Sequence, residues 1–155
     1  MPEAAARSSG RLTDGVHVMP IRVYFADTDA GGVVHHASYL SFAERARTEM
    51  LRLLGFDQGH LMREHGLVFA VRQCEIDFLS PAHLDELLEL RTSIVGIGGS
   101  SVKVSQSLWH DARELVRMLI RLVCVRLSDV RPARLPADIR VAFEGALQPQ
   151  AGNTT

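Results

Sequence analysis

Hydrophobic and polar positions alternate along most of the chain, and one long segment shows a helical spacing instead. The stretch HVMPIRVYFAD, residues 17–27, alternates as a β-strand does, with Pro20 suited to an edge or to the start of the strand. Between Ala37 and Leu54 the apolar residues instead recur at intervals of three and four, which predicts an amphipathic α-helix ended by Gly55. The pattern therefore predicts a strand that leads into one long helix.

Four further segments predict β-strands joined by short connections, after a short helix in DQGHLMREH. They are LVFAVRQCEIDFL, ELLELRTSIVGI, VKVSQSLWH and LVRMLIRLVCVRL, and a last helix is predicted in ADIRVAFEGA. In the first of these strands, Val68, Ala70 and Cys74 are expected on one face, with Arg72 as an exception. Short turns between successive strands favour antiparallel pairing. The expected fold class is α+β, with five antiparallel strands against one long helix.

Composition indicates a globular protein and excludes some functional classes. The 155 residues are 46% hydrophobic and 23% charged, which suits a single folded domain. A formal net charge of −1 gives no basic field for nucleic acid, and no apolar run is long enough to predict membrane insertion. Cys74 and Cys124 lie apart in apolar segments, which favours reduced thiols and a cytoplasmic location. We expect a disordered leader at 1–16, a folded domain at 17–146 and a disordered tail at 147–155.

The segment DTDAGGVVHH, which begins at Asp27, places acids, glycines and histidines directly before the long helix. It resembles a calcium loop, but Ser38 stands at the twelfth position, where a bidentate Glu is required, and no helix precedes it. A transition-metal site from Asp29, His35 and His36 is a second alternative, although adjacent histidines in an extended chain point to opposite sides. We expect no metal and no other cofactor.

Other familiar catalytic motifs do not fit the sequence. The glycine-rich GIGGSS precedes an alternating strand, whereas a dinucleotide-binding loop must open a helix, so a hairpin turn is favoured. There is no G-x-S-x-G motif, and both cysteines lie within predicted strands. The sequence gives no support for a serine or cysteine nucleophile.

A carboxylate beside the start of a helix remains as candidate chemistry. Gly31 and Gly32 allow a sharp turn, and the first turn of the helix offers unpaired N–H groups at the positive end of its dipole. Such donors can polarise a carbonyl while an Asp acts as nucleophile or general base, a combination that suits acyl transfer from a reactive ester. The alternative is structural: Asp27 and Asp29 make turns or cap the helix. The residues alone leave both interpretations open.

The motif VYFADTDAGGVVHHASYLSFAERARTEML resembles the signature of acyl-CoA thioesterases of the 4-hydroxybenzoyl-CoA thioesterase type, which have the hotdog fold. It is most similar to the subgroup associated with the Tol–Pal gene cluster, and the resemblance covers roughly residues 18–145, including FLSPAHLDELLELRT and VRPARLP. It implies a five-stranded antiparallel sheet wrapped around the long helix, in a homodimer that assembles into a homotetramer.

The resemblance also assigns roles to residues. It implies that Asp29 is the catalytic carboxylate and that the backbone N–H of His36, at the helix start, faces the thioester carbonyl. The implied substrate-binding residues are Tyr24, Gly31, Gly32, Val34, His35 and Glu44. Phe25 and His35 stand where tyrosines are usual in the family. Glu44 and Arg47 could contact the substrate or a second protomer, but an ion pair within the helix is equally compatible.

The implied function is hydrolysis of a short- to medium-chain acyl-CoA, or of an acyl-carrier-protein thioester, to the free acid. One alternative within the family is an aryl-CoA thioesterase acting on hydroxybenzoyl or dihydroxynaphthoyl groups. A hotdog hydratase is less compatible, because its N-P-x-H-x-D pattern is absent from the sequence. A non-enzymatic partner of acyl carrier protein near the cell envelope is the third alternative.

Overall fold

The computed structural model describes residues 9–149. The elements are, in chain order, β1 (Arg11–Thr13), β2 (Val16–Arg22), α1 (His36–Leu53), α2 (Gln58–His65), β3 (Leu67–Phe78), β4 (Leu87–Ile97), β5 (Ser101–His110), β6 (Arg113–Arg126), β7 (Arg131–Pro132) and α3 (Ala137–Ala146). A 3-10 turn, Phe25–Asp27, follows β2, which ends earlier than the alternation of the sequence predicts. No helix within residues 9–149 is long and apolar enough to cross a membrane.

The strands form one antiparallel sheet in the order β1-β2-β4-β5-β6-β3, with β7 paired to β6. Five long strands make the body of this sheet, and β1 and β7 are short additions that the sequence analysis did not predict. The helix α1 packs on the sheet and contacts β2 and β4. The predicted α+β class and the predicted hotdog arrangement are therefore confirmed.

The helix α1 is held on the sheet by its apolar stripe. The buried side chains on this stripe are Tyr39, Phe42, Ala43, Ala46, Met50 and Leu51. They meet inward-facing residues of the central strands, including Leu90, Leu108 and Ile120. Burial of each large apolar side chain stabilises the fold by about 1.5–3 kcal/mol. The small Ala43 and Ala46 leave room for the helix to approach the sheet.

The strand β3 carries a β-bulge that corrects one sequence prediction. The register with β6 shifts between Val71 and Gln73, so that Arg72 has no partner. The extra residue reverses which side chains face inward, and Phe69 packs on the core before the bulge while Cys74 packs on it afterwards. The expectation that Val68 and Ala70 share a face with Cys74 is therefore wrong, because strict alternation does not hold across a bulge.

The domain begins earlier than residue 17. β1 pairs with β2 through a turn in which Asp14 and Gly15 have φ values of 51° and 82°, as a two-residue hairpin requires. The Asp-Gly dipeptide is the sequence signal that could have predicted this hairpin. At the other end, the side-chain amide of Gln148 donates to the carbonyl of Asp14 at 2.7 Å. The rest of the predicted leader, 1–8, and of the predicted tail, 150–155, lies outside the described residues.

Candidate active site

Residues 28–34 form a small β-hairpin directly before α1. Its ends are paired antiparallel, the N–H of Asp29 donates to the carbonyl of Val33 at 2.9 Å, and the N–H of Gly32 donates to the carbonyl of Asp29 at 3.1 Å. Gly32 has a φ of 77°, the left-handed conformation that closes a three-residue hairpin loop. The acids and glycines of the motif thus place Asp29 at the end of a strand, immediately before the loop.

The two acids of the motif have different partners. Asp29 is exposed, and its Oδ1 accepts the N–H of Gly31 at 2.8 Å. A Cβ on Gly31 would lie 3.2 Å from that oxygen, so glycine keeps this contact open. Asp27 accepts the N–H of Tyr24 at Oδ2 (2.8 Å), and its carbonyl accepts the N–H of His35 at 2.9 Å. Asp27 therefore stabilises the base of the hairpin. By contrast, Oδ2 of Asp29 accepts no hydrogen bond from residues 9–149.

The first turn of α1 leaves the N–H of its first residue unpaired beside this hairpin. His35 is the N-cap: its Nδ1 accepts the N–H of Ala37 at 3.2 Å, and its carbonyl accepts the N–H of Ser38 at 2.9 Å. The N–H of His36 has no acceptor within the described part of the chain. It lies at the positive end of the helix dipole, where a developing negative charge is stabilised.

The ring of His36 is exposed and packs against an aromatic side chain. Its centroid lies 4.9 Å from that of Phe78, which in turn lies 5.8 Å from that of Tyr39. The hydroxyl oxygen of Tyr39 accepts the N–H of Ala82 at 3.1 Å, and burial raises the pKa of this phenol. The side chain of Val34 is buried in the core, so only its backbone faces the hairpin surface.

A cluster that the sequence analysis missed supports the hairpin from the other side. His83 pairs with Val33 in a β-bridge. Oε1 of Glu86 accepts the backbone N–H of His83 and lies 3.2 Å from its Nδ1. The other carboxylate oxygen of Glu86 lies 2.8 Å from Nδ1 of His110, at the end of β5. The bridge between Val33 and His83 thus joins this cluster to the arm of the hairpin opposite Asp29. The sequence contains no motif that predicts this cluster. His110 lies far from Glu86 in the chain, and the two meet only because β4 and β5 pair.

The predicted substrate-binding residues do not all lie together. Tyr24, with the neighbouring Phe25, is strongly exposed beside the hairpin, at 63% and 81%. Glu44 lies on α1 eight residues after His36, which is about 12 Å along the helix axis. Glu44 instead lines a cavity near Arg47, on the second half of the helix. Gly31 and Gly32 therefore contact Asp29 directly, Tyr24 and His35 are bonded to the neighbouring Asp27, and Glu44 lies apart from them.

The transition-metal alternative receives no support from the geometry. Among residues 9–149, no group of three or more His, Cys, Asp or Glu side chains is arranged to hold a metal ion. The cluster around Glu86 contains two imidazoles, but their Nδ1 atoms are directed at its carboxylate. Around the hairpin, the described residues present the carboxylate of Asp29 and the backbone N–H of His36.

Known proteins share this arrangement of sheet and helix. The sequence profile of the thioesterase superfamily matches residues 31–117. The acyl-CoA thioesterase YbgC of Haemophilus influenzae is 40% identical over 132 residues, 85% of this chain and 97% of that protein. A probable thioesterase from Bartonella henselae superposes with a TM-score of 0.74 at 39% identity, over 78% of this chain and 99% of its own. The 1,4-dihydroxy-2-naphthoyl-CoA hydrolase of Thermosynechococcus vestitus is 29% identical over 129 residues, 80% of this chain and 88% of that protein.

Proposed function

The chain belongs to the thioesterase superfamily, and from this premise we propose that it hydrolyses acyl-CoA thioesters with Asp29 as the catalytic carboxylate. The observation that carries the proposal is the unpaired N–H of His36, at the start of α1 and beside the hairpin that carries Asp29. A carbonyl oxygen bound there would be polarised, and the charge of the tetrahedral intermediate would be stabilised. The carboxylate and the donor are the two groups that the reaction needs.

Two routes lead from this geometry to the same products. In the first, Asp29 attacks the carbonyl carbon, coenzyme A leaves as the thiolate, and water hydrolyses the mixed anhydride. In the second, Asp29 takes a proton from a water molecule that attacks the carbonyl directly, and the thiolate leaves and is protonated. Asp29 is suited to both, because one of its oxygens is held by Gly31 and the other has no donor in the described residues.

The other residues near Asp29 have supporting roles in this proposal. Gly31 and Gly32 shape the loop, and His35 fixes the start of the helix through its cap. The ring of His36 can orient Asp29 or a water molecule, and the exposed Tyr24 can contact the pantetheine arm. Glu86 holds His83 next to Val33, so it acts as a positioning residue for the hairpin.

We further propose a short- to medium-chain acyl group and a cytoplasmic enzyme of the Tol–Pal-associated subgroup, with coenzyme A or acyl carrier protein as the donor. The similarity to the acyl-CoA thioesterase YbgC supports an acyl-CoA substrate. The aryl-CoA alternative is favoured by one observation, the 29% identity to the dihydroxynaphthoyl-CoA hydrolase of Thermosynechococcus vestitus. Hydrolysis rates on matched aliphatic and aromatic CoA esters, and on acyl carrier protein thioesters, separate these possibilities.

A homodimer that assembles into a tetramer is part of the proposal. β3 is a twelve-residue strand at one end of the sheet order, so one of its edges offers backbone groups for pairing. Val71 and Phe78 on this strand are about half exposed, at 53% and 50%. Pairing of this edge with a second copy would bring that copy close to Phe78, which contacts the ring of His36. Sedimentation equilibrium gives the assembly state directly.

Asp29→Asn tests the catalytic assignment. The amide keeps the size of the side chain and can still accept the N–H of Gly31, but it is neither a nucleophile nor a base. We expect kcat to fall roughly 10²- to 10⁴-fold, with little change in the melting temperature. The matched control is Asp27→Asn, in which the amide oxygen can still accept the N–H of Tyr24, and it should retain most of the activity. Wild-type turnover by Asp29→Asn would refute the proposal.

A further inference from the structure

A cavity lies between the second half of α1 and the sheet, away from the hairpin. Its volume is about 220 Å³. Most of the side chains that line it are apolar, among them Met50, Leu54, Phe69, Ile94, Val104 and Phe143, although polar groups also contribute to its walls. An apolar cavity of about 150 Å³ is large enough to bind benzene, so this one can hold a small apolar group. Benzene has six carbon atoms, so a chain of about that many carbon atoms is of a size that this volume can hold.

Arg47 is the cation among the polar side chains at this cavity, which also include Glu44, Gln58 and Thr92. Nη1 of Arg47 donates to Oε1 of Gln106 at 2.9 Å, and the amide of Gln106 donates to the carbonyl of Ala43 and to the hydroxyl of Thr92, both at 3.0 Å. Gln106 is fully buried, so the guanidinium is fixed on one side by a satisfied network. Its remaining N–H groups are available to the cavity.

The charge of Arg47 is only partly compensated. Burial lowers the pKa of its guanidinium, against the opposing effect of the carboxylate of Glu44. No carboxylate among residues 9–149 lies within ion-pair distance of Arg47, and Glu44 itself is exposed at the cavity. A guanidinium that is removed from water without a direct anionic partner is stabilised by a carboxylate that reaches it.

We propose that this cavity binds a straight-chain carboxylic acid, with its hydrocarbon between α1 and the sheet and its carboxylate on Arg47. The hydrocarbon walls select an alkyl chain, and the fixed guanidinium offers two parallel donors to a planar carboxylate. The volume favours acids of about six carbon atoms, with the carboxylate at the polar end.

The site is separate from Asp29 of the same chain. Arg47 follows His36 by eleven residues on one helix, which is about 16 Å along its axis. The assignment rests on Arg47 and the cavity walls, so it does not depend on the proposed catalytic role of Asp29. A free acid is also the product class of the proposed hydrolysis, and the site would therefore let the product bind away from the reaction centre.

Titration of hexanoate into the wild-type protein, followed by amide chemical shifts in NMR spectra, tests this site. We expect saturable binding with the largest shifts around Arg47, Phe69 and Ile94. From butanoate to hexanoate the affinity should rise about fourfold for each methylene that is buried. Arg47→Met should weaken hexanoate binding roughly tenfold or more, because it removes a charge-assisted hydrogen bond. Binding of 1-hexanol, which has no charge, should be the same in wild type and Arg47→Met.

The controls separate a carboxylate site from general damage to the fold. Arg45→Met changes an exposed arginine of the same helix that does not line this cavity, and it should bind hexanoate as wild type does. Arg47→Lys keeps a cation and should bind within a few-fold of wild type, which provides a test if Arg47→Met is poorly folded. Asp29→Asn should bind hexanoate normally, whatever its effect on hydrolysis. Equal hexanoate affinity in wild type and Arg47→Met, or loss of binding in Asp29→Asn, would overturn the proposal.

Discussion

The polar groups near the start of α1 and those beneath its middle differ in how fully they are hydrogen bonded. At its start, the exposed carboxylate of Asp29 and the N–H of His36 have binding capacity that residues 9–149 do not use. Beneath its middle, Gln106 is fully buried and every polar atom of its side chain is hydrogen bonded. The first arrangement can bind a reacting group, whereas the second stabilises the packing of helix on sheet.

The polar residues below the helix form a continuous row. His17, Thr92 and Gln106 are opposite each other on β2, β4 and β5, and all three are buried. Ser9 extends the row, because its carbonyl is 2.7 Å from Nε2 of His17. The difference between the two halves is therefore one of hydrogen bonding. Except for Nδ1 of His17, the polar side chains of the buried row are paired among the described residues and rigidify the interior, whereas unpaired groups at the surface are available for chemistry.

The largest effect should come from removing the unpaired donor by His36→Pro. Proline is favoured at the first position of a helix and has no N–H, so the change deletes the donor with little effect on α1. We expect kcat to fall roughly 10²- to 10³-fold, as for the loss of one oxyanion donor. Steady-state kinetics and thermal unfolding measure the two consequences separately.

His36→Ala is the matched control for that variant. It removes the imidazole, including its contact with Phe78, but keeps the backbone donor. It should therefore be much more active than His36→Pro. If the two variants were equally active, the N–H of His36 would have no role in catalysis, and the contrast between the two halves of α1 would lose its functional meaning.

The next effect concerns stability rather than rate. Gln106→Leu leaves Arg47, the carbonyl of Ala43 and the hydroxyl of Thr92 without their partner. We expect the free energy of unfolding to fall by about 3 kcal/mol, as measured by urea denaturation. Ser105→Ala, at the neighbouring position of β5, should change it by less than about 0.5 kcal/mol. A Gln106→Leu variant as stable as wild type would show that the buried row is dispensable.

A smaller effect is expected in the hairpin. Gly32→Ala places a Cβ in a left-handed conformation with a φ of 77°, although no neighbouring atom would touch it. The strain should lower the free energy of unfolding by about 1–2 kcal/mol and also reduce kcat, because Asp29 precedes this turn. Gly32→Asn should lose less, since Asn tolerates this conformation. Gly99→Ala, where a Cβ also meets no atom, is the control and should be nearly neutral.

The smallest effect should be a pH dependence due to His17. Burial lowers the pKa of this imidazole, and its Nδ1 has no partner in the described structure. As the pH falls below the ordinary value of about 6.5, the unfolded chain binds a proton that the folded chain does not, so stability decreases. Urea denaturation at about pH 7.5 and about pH 5.5 should show a smaller loss for His17→Gln than for wild type. Parallel losses in both proteins would exclude this role for His17.

Much of the fold was predictable because local patterns decide it. The three and four spacing of apolar residues predicted α1, and the last helix was predicted at its observed bounds, Ala137–Ala146. The hairpin at Asp14 was missed although its Asp-Gly signal is in the sequence. The bulge at Arg72 was not predictable from alternation, since it depends on the partner strand.

The sequence by itself determined the long helix, the five long strands, the fold class and the family, and it singled out the motif that contains Asp29 and His36. Only the tertiary structure decided that Glu86 joins His83 to His110, and that Arg47 lies over Gln106 and Thr92. Local propensity and periodicity depend on neighbours within a few residues, and these neighbours can be read directly from the sequence. These contacts instead join residues far apart in the chain, and strand register and helix packing bring them together.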